Sequence, residues 1–320
     1  MNTLIYTLTE DNLENIALSC SRILKEGELV AFPTETVYGL GGNGFDEDAA
    51  KKIYAAKGRP SDNPLILHIG RKEQLYELVT EVPEKAERLM EAFWPGPLTL
   101  IFNKSGKVPD TVSGGRKTVA VRFPSHPVAN ALLKACDFPV AAPSANLSGR
   151  PSTTKGSHVI EDLDGRIAAV IDAGDVPIGV ESTIVDMTEE TPVLLRPGFV
   201  SLKELRAVLK DVDTDPAVRN ENIISHASEV IRPKAPGMKY RHYAPKAPVT
   251  IISGTEEEII SCIKERADGR TGILTVDEHI GLYLEPDAIH IMKKSEYSGM
   301  FGDYSSFSNE FDELSDAEAV

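Results

Sequence analysis

Short apolar runs and amphipathic stretches take turns along roughly the first 200 residues, and this alternation constrains the fold more than any other feature. Leu13, Ile16, Ala17, Cys20, Ile23 and Leu24 fall at helical spacing within 11–26. LVAF (29–32) follows as a buried strand. Asp46 is placed to cap a helix through AAKKIYAA, and Gly58 to stop it. LILHI (65–69), LTLIF (98–102), TVAVRF (118–123), PVAA (139–142), AAVIDAG (168–174) and STIVDM (182–187) continue the strands. A chain with this pattern is expected to fold as an α/β domain around a mixed, twisted sheet.

The pattern breaks at 232–248, RPKAPGMKYRHYAPKAP, which holds five bases, four prolines and no acid. Such a stretch is extended and ordered only by what it contacts. VTIISG, an acidic helix from Thr255 to about Ala267 and GILTVD then restart an α/β pattern. The expected division is therefore a catalytic domain over 1–210, a connector over 211–248 and a small α/β domain over 249–320. In the tail, Tyr297, Phe301, Tyr304, Phe307 and Phe311 share one helical face. That stripe reads as a docking helix in preference to a partner-binding segment.

Charge and cysteine usage exclude several classes. The chain carries 49 acidic against 34 basic residues, a net charge of −15. Non-specific nucleic-acid binding needs many cations and is not expected. No apolar run is long enough to cross a membrane, and the start is too polar for a signal peptide. Cys20, Cys136 and Cys262 lie far apart and fit neither a disulfide framework nor a zinc ribbon, so a reducing cytoplasm is expected.

Gly39-x-Gly41-x-x-Gly44 matches the dinucleotide fingerprint. However, Pro33 to Tyr38 separates the strand from its first glycine, whereas a dinucleotide site needs the glycines directly after the strand. A glycine-rich loop without a dinucleotide is the favoured reading. What remains is a set of polar residues at strand ends. PTETVYGLGG follows LVAF, and Lys57, Arg59 and Asn63 precede the strand holding His68. Thr118 and Arg122 lie four apart on one side of TVAVRF. APSANLSG closes a strand with Ser144 and Asn146, Glu181-Ser182-Thr183 opens one, and Arg196 ends the last. Singly, these residues read as helix-end charges or turn formers. Arg122 differs, because a buried guanidinium needs an anionic partner. Together, Lys57, Arg59, Arg122 and Arg196 beside hydroxyl-rich turns describe a cavity for phosphates and a carboxylate.

PTETVYGLGG, KGRPSDNPL, TVAVRFP, PSANLSG, ESTIVD and LRPG, in this order, closely resemble the YrdC-like L-threonylcarbamoyladenylate synthases, and PGMKYRHYAP resembles their two-domain form. The match spans about residues 12 to 250. The resemblance implies a YrdC-like twisted mixed sheet with helices around a concave cationic cavity, plus a small Rossmann-like α/β C-terminal domain. It also implies that L-threonine, bicarbonate and ATP, with Mg²⁺ on the phosphates and no metal-ligating side chains, become threonylcarbamoyl-AMP and pyrophosphate. The product serves tRNA modification by a separate transferase, and the chain itself binds tRNA at most weakly. By motif position, the catalytic set is Lys57, Arg59, Ser144 and Asn146. Threonine falls to Thr36, His68, Arg122, Ala142 (backbone) and Ser182. ATP falls to Arg59, Asn63, Thr118, Ser144, Ser152, Arg196 and Tyr243.

The chemistry needs no enzyme nucleophile, only positioning and charge neutralisation. His68 is expected to position, and a general-base role is the lesser option. The labile intermediate asks for a closed site, so the 232–248 linker is read as a lid. The readings weighed against this one are a non-catalytic YrdC-like RNA-binding module, a carbamoyl-transferring relative of metallocentre maturation, and an NAD enzyme. The first lacks an aromatic and basic platform, the second its CxxC pattern, and the third its strand–glycine junction.

Overall fold

The computed structural model describes residues 2–9, 11–216 and 218, and further on 250, 252, 254–266, 272–274 and 290–292. The basic linker 232–248 with Tyr243, and the aromatic tail, lie outside the described residues. The chain divides into two compact units, Met1–Ala244 and Pro245–Val320.

In the first unit the elements run in chain order as follows. β1 (Leu4–Thr7), α1 (Leu13–Lys25), β2 (Val30–Pro33), β3 (Tyr38–Asn43), α2 (Glu47–Lys57) and β4 (Ile66–His68) come first. Then come α3 (Leu75–Leu78), α4 (Glu84–Phe93), β5 (Leu98–Asn103), α5 (Asp110–Ser113), β6 (Thr118–Arg122), α6 (Pro127–Ala135) and β7 (Val140–Ala141). α7 (Gly156–Leu163), β8 (Ala169–Asp172), β9 (Thr183–Asp186), β10 (Val193–Arg196), α8 (Leu202–Leu209) and β11 (Asp213–Thr214) complete it. Among the described residues the strands form one sheet in the order β1-β8-β2-β3-β7-β4-β6-β5-β9-β10-β11. It is mixed: β4 pairs with β6 and β5 with β9 in parallel, while β2–β3, β3–β7, β4–β7, β5–β6 and β9–β10 are antiparallel.

Local chemistry explains the element ends. The Asp46 carboxylate accepts Asp48 N–H at 2.8 Å and caps α2, and Gly58 stops it at φ +63°. Ser201 and Glu204 close a reciprocal capping box on α8. β2 is buried on both faces, which is why LVAF shows no polar alternation. Ala31 enters the main core, while Val30 and Phe32 join a second core under α1 and α6 with Ile16, Cys20, Leu24 and Leu132.

One sequence reading needs correcting. PTETVYGLGG is not all loop: Tyr38–Asn43 forms strand β3, antiparallel to β2. Its glycines serve packing. A Cβ on Gly41 would stand 2.8 Å from Val140 Cγ1 and 2.9 Å from Phe32 Cε1. β1 and α3–α8 also lie where no element was expected.

In the second unit, α9 (Glu256–Arg266) starts at Thr255, whose N–H and hydroxyl both reach Glu258 Oε2 at 2.9 Å. β12 (Gly272–Leu274) and β13 (His290–Met292) pair in parallel. No helix among the described residues is long and apolar enough to cross a membrane.

Candidate active site

The site lies where β4 and β6 end and β5 and β9 begin. Register sets His68 beside Arg122, and Arg122 beside Thr99. Residues two apart share a face, so Ile66 and His68 point the same way, as do Ala120 and Arg122. Ile66, Ala120, Ile101 and Ile184 make an apolar patch on that face. Above it opens a cleft that, counted with the solvent-open space at its mouth, spans about 580 Å³. Thr36, Arg59, His68, Arg122, Ala142, Ser144, Ser182 and Arg196 line it, with Thr34, Tyr38 and Glu181 among the remainder.

Arg122 is buried to 4% exposure and fully directed. Its Nη2 donates to Glu35 Oε1 at 2.6 Å, its Nη1 to Thr36 Oγ1 at 2.9 Å and its Nε to the Gly96 carbonyl at 3.4 Å. Thr34 Oγ1 lies 3.0 Å from Thr36 Oγ1 and donates to the Val37 carbonyl, which closes the tight turn between β2 and β3. On the β9 side, Ser182 Oγ sits 2.7 Å from Thr99 Oγ1, and Arg196 donates to the Ser182 carbonyl and hydroxyl. His68 Nδ1 lies 3.2 Å from the Ile66 carbonyl, and its ring meets Phe32 edge to face at 6.3 Å. Burial, then the Arg122 charge, pushes the His68 pKa down to about 3. A neutral imidazole of such low basicity makes a poor proton acceptor.

Farther along the cavity, the 143–146 turn is stitched to β3. Leu40 N–H reaches the Pro143 carbonyl at 2.8 Å, and Ala145 N–H reaches that of Tyr38 at 2.8 Å. Lys57 lies behind this turn, donating from Nζ to the Ser144 and Asn146 carbonyls. Ser144 Oγ donates to Asn146 Oδ1 at 2.5 Å. Burial and then the Arg59 charge push the Lys57 pKa down to about 7, against a nearby Asp162 that raises it. Arg59 donates to the Asn63 and Pro64 carbonyls at 3.3 and 3.0 Å. Asn63 Oδ1 is buried without a hydrogen-bond partner among the described residues.

A family model described as telomere recombination (Sua5/YciO/YrdC) matches residues 22–198. A second, for the threonylcarbamoyl-AMP synthase C-terminal domain, matches 200–310. The threonylcarbamoyl-AMP synthase of Pyrococcus abyssi is 52% identical over 242 residues, 76% of this chain and 69% of that one.

The chain belongs to the threonylcarbamoyl-AMP synthase family.

The Bacillus subtilis member is 50% identical over 264 residues, covering 82% of this chain and 74% of its own. The crystal structure of P. abyssi Sua5 complexed with L-threonine superposes with a TM-score of 0.81 at 43% identity, over 97% of this chain and 89% of that one.

Against the residues that resemblance to the synthases singled out, eight line the cavity: Thr36, Arg59, His68, Arg122, Ala142, Ser144, Ser182 and Arg196. Lys57, Asn63 and Asn146 stand one hydrogen bond behind that lining. Ser152 donates to Glu181, which lines it. Thr118, at the start of β6 and paired with Asn103 of β5, does not line it. Tyr243 is outside the described residues. Glu35 was not singled out, and Glu181, named at the opening of its strand, was given no role of its own. The available signal for Glu35 was Arg122 itself: a buried guanidinium requires an anion, and that anion is in the chain.

Proposed function

We propose that the cavity assembles L-threonylcarbamoyl-AMP from L-threonine, bicarbonate and ATP. One observation carries this reading. One cavity lining holds Arg122 with its neighbours His68 and Thr36 and, through Thr99, Ser182, together with Arg59 and Ser144. An amino acid and a nucleotide would thus lie end to end, the amine toward the α-phosphate. The relatives' shared name and the threonine complex of P. abyssi Sua5 support the same direction.

In this reading Arg122 takes the threonine carboxylate, with Thr36, Ser182 and the Ala142 backbone satisfying its polar groups. His68, neutral, holds the substrate in place. Arg59, Ser144, Asn63, Thr118, Ser152 and Arg196 take ATP, and the buried Asn63 Oδ1 offers an acceptor to a ligand N–H. Lys57 and Asn146 fix the 143–146 turn and face it with one positive charge. The carbamate oxygen attacks the α-phosphate and pyrophosphate leaves, so positioning and charge neutralisation supply the rate. Mg²⁺ belongs on the phosphates. Glu181 is the carboxylate of the lining, and one carboxylate with phosphates is a donor set that magnesium accepts. When bound, the ion neutralises polyphosphate charge.

The 232–248 segment, with Tyr243, is proposed as the lid. A chain ending near Ile231 should lose product yield and bind ATP more weakly, and an unchanged rate and ATP KM would remove the lid. The product passes to a tRNA-modifying transferase. The deciding assay is pyrophosphate release with threonine and bicarbonate omitted in turn. Release should require both, and release independent of threonine would overturn the function.

A further inference from the structure

Glu35 lies outside the cavity lining yet is as buried as the arginine it holds, with side-chain exposures of 6% and 4%. Both of its carboxylate oxygens are engaged. Oε1 takes Arg122 Nη2 at 2.6 Å, and Oε2 accepts the Ser125 N–H, just before α6, at 3.1 Å. Its carbonyl accepts Ile178 N–H at 3.0 Å, and the next carbonyl, of Thr36, accepts Gly179 N–H at 2.9 Å. Three chain segments therefore fix this carboxylate before any ligand arrives. With Gly96, Thr36 and Glu35 served, Arg122 keeps one N–H on each Nη without an acceptor among the described residues. A substrate carboxylate can accept from those N–H groups.

We infer that Glu35 is a positioning residue for the amino-acid substrate: it supplies the counter-charge that lets Arg122 stay buried, and it turns the remaining N–H pair of Arg122 toward the cavity. This rests on the reading above that Arg122 receives the threonine carboxylate. Without Glu35 the guanidinium would be a buried unpaired charge, costly in itself and free to swing toward other acceptors. A glutamine in its place would also set an amide donor against either Arg122 or the Ser125 N–H, both of which are donors.

The test uses the full chain, pyrophosphate release and thermal unfolding of each variant. Glu35→Asp keeps the charge but withdraws it by one methylene. It should fold and raise the threonine KM on the order of 100-fold, as a misplacement near 1 Å can. The ATP KM should stay within about twofold. Glu35→Gln should do more. In an Arg122→Gln background Glu35→Asp should add almost nothing, since nothing is left to position. Equal rises in both KMs, an unchanged threonine KM, full additivity with Arg122→Gln, or a Glu35→Asp chain that does not fold would each overturn the inference. The two failures separate cleanly. If Arg122→Gln itself leaves the threonine KM unchanged, the carboxylate assignment falls. If Arg122→Gln raises it and Glu35→Asp is silent, only the role of Glu35 falls.

Discussion

Arg122 and Lys57 are both buried cations of one cavity, and they are held in opposite ways. Arg122 is tied to a carboxylate, Glu35, at 2.6 Å. Among the described residues Lys57 makes no ion pair, and its ammonium faces the Ser144 and Asn146 carbonyls. A guanidinium stays charged whatever its surroundings, so burying it demands a counter-charge that also sets its plane. An amine can be held by neutral oxygens at the cost of a lowered pKa. On the proposed function, the arginine end suits a fixed, directional anion, and the lysine end suits charge that a polyphosphate completes.

The largest expected effect breaks the arginine end. Arg122→Gln leaves Glu35 buried without its partner and should cost about 3–5 kcal/mol in denaturant unfolding, with the threonine KM raised further than in Glu35→Asp while turnover at saturating threonine stays measurable. A loss below about 1 kcal/mol would mean the pair is solvated. Lys57→Met tests the other end. It strands acceptor carbonyls instead of a charge, so it should cost less, about 1–3 kcal/mol, and raise the ATP KM while sparing that for threonine. Equal stability losses in the two variants would erase the contrast.

Titration separates the ends further. His68 has its folded pKa, about 3, below its ordinary 6.5, so between those values the unfolded chain binds the extra proton. Stability should fall as pH drops from 6.5 toward 3, by at most about 1.4 kcal/mol per pH unit from this group, and His68→Gln should flatten that limb. Lys57, near 7 when folded against an ordinary 10.5, acts on the alkaline side. There the unfolded chain binds the extra proton, so stability gains as pH rises from about 7 to 10.5. Activity that needs the ammonium should decline over the same range, and a flat ATP kcat/KM from pH 6 to 9 would show no such need. The smallest effect is expected at Thr99→Val, which removes the 2.7 Å contact to Ser182 and should cost about 1 kcal/mol with a slight rise in the threonine KM.

Much of this was legible because it is local. Apolar runs marked β2, β4, β5, β6, β8 and β9, and the Asp46 and Gly58 caps bounded α2 almost to the residue. β3 was not legible, because glycines chosen for close packing against Val140 and Phe32 look the same in sequence as glycines chosen for a turn. Among site residues, the strand-end arginines and His68 could be named from motif order. Glu35 could not, since nothing in PTETVYGLGG says that its carboxylate reaches Arg122, 87 positions away.

The sequence by itself determined the α/β class, the caps, the motifs and the family likeness, because short-range periodicity, side-chain chemistry and motif order are written along the chain. Only the tertiary structure decided that β4 and β6 run in parallel with His68 beside Arg122, and that Arg122 Nη2 pairs with Glu35. It also placed Lys57 behind the Ser144 turn. Those outcomes depend on which strands become neighbours and on where a buried charge finds its partner, and both are settled by long-range packing.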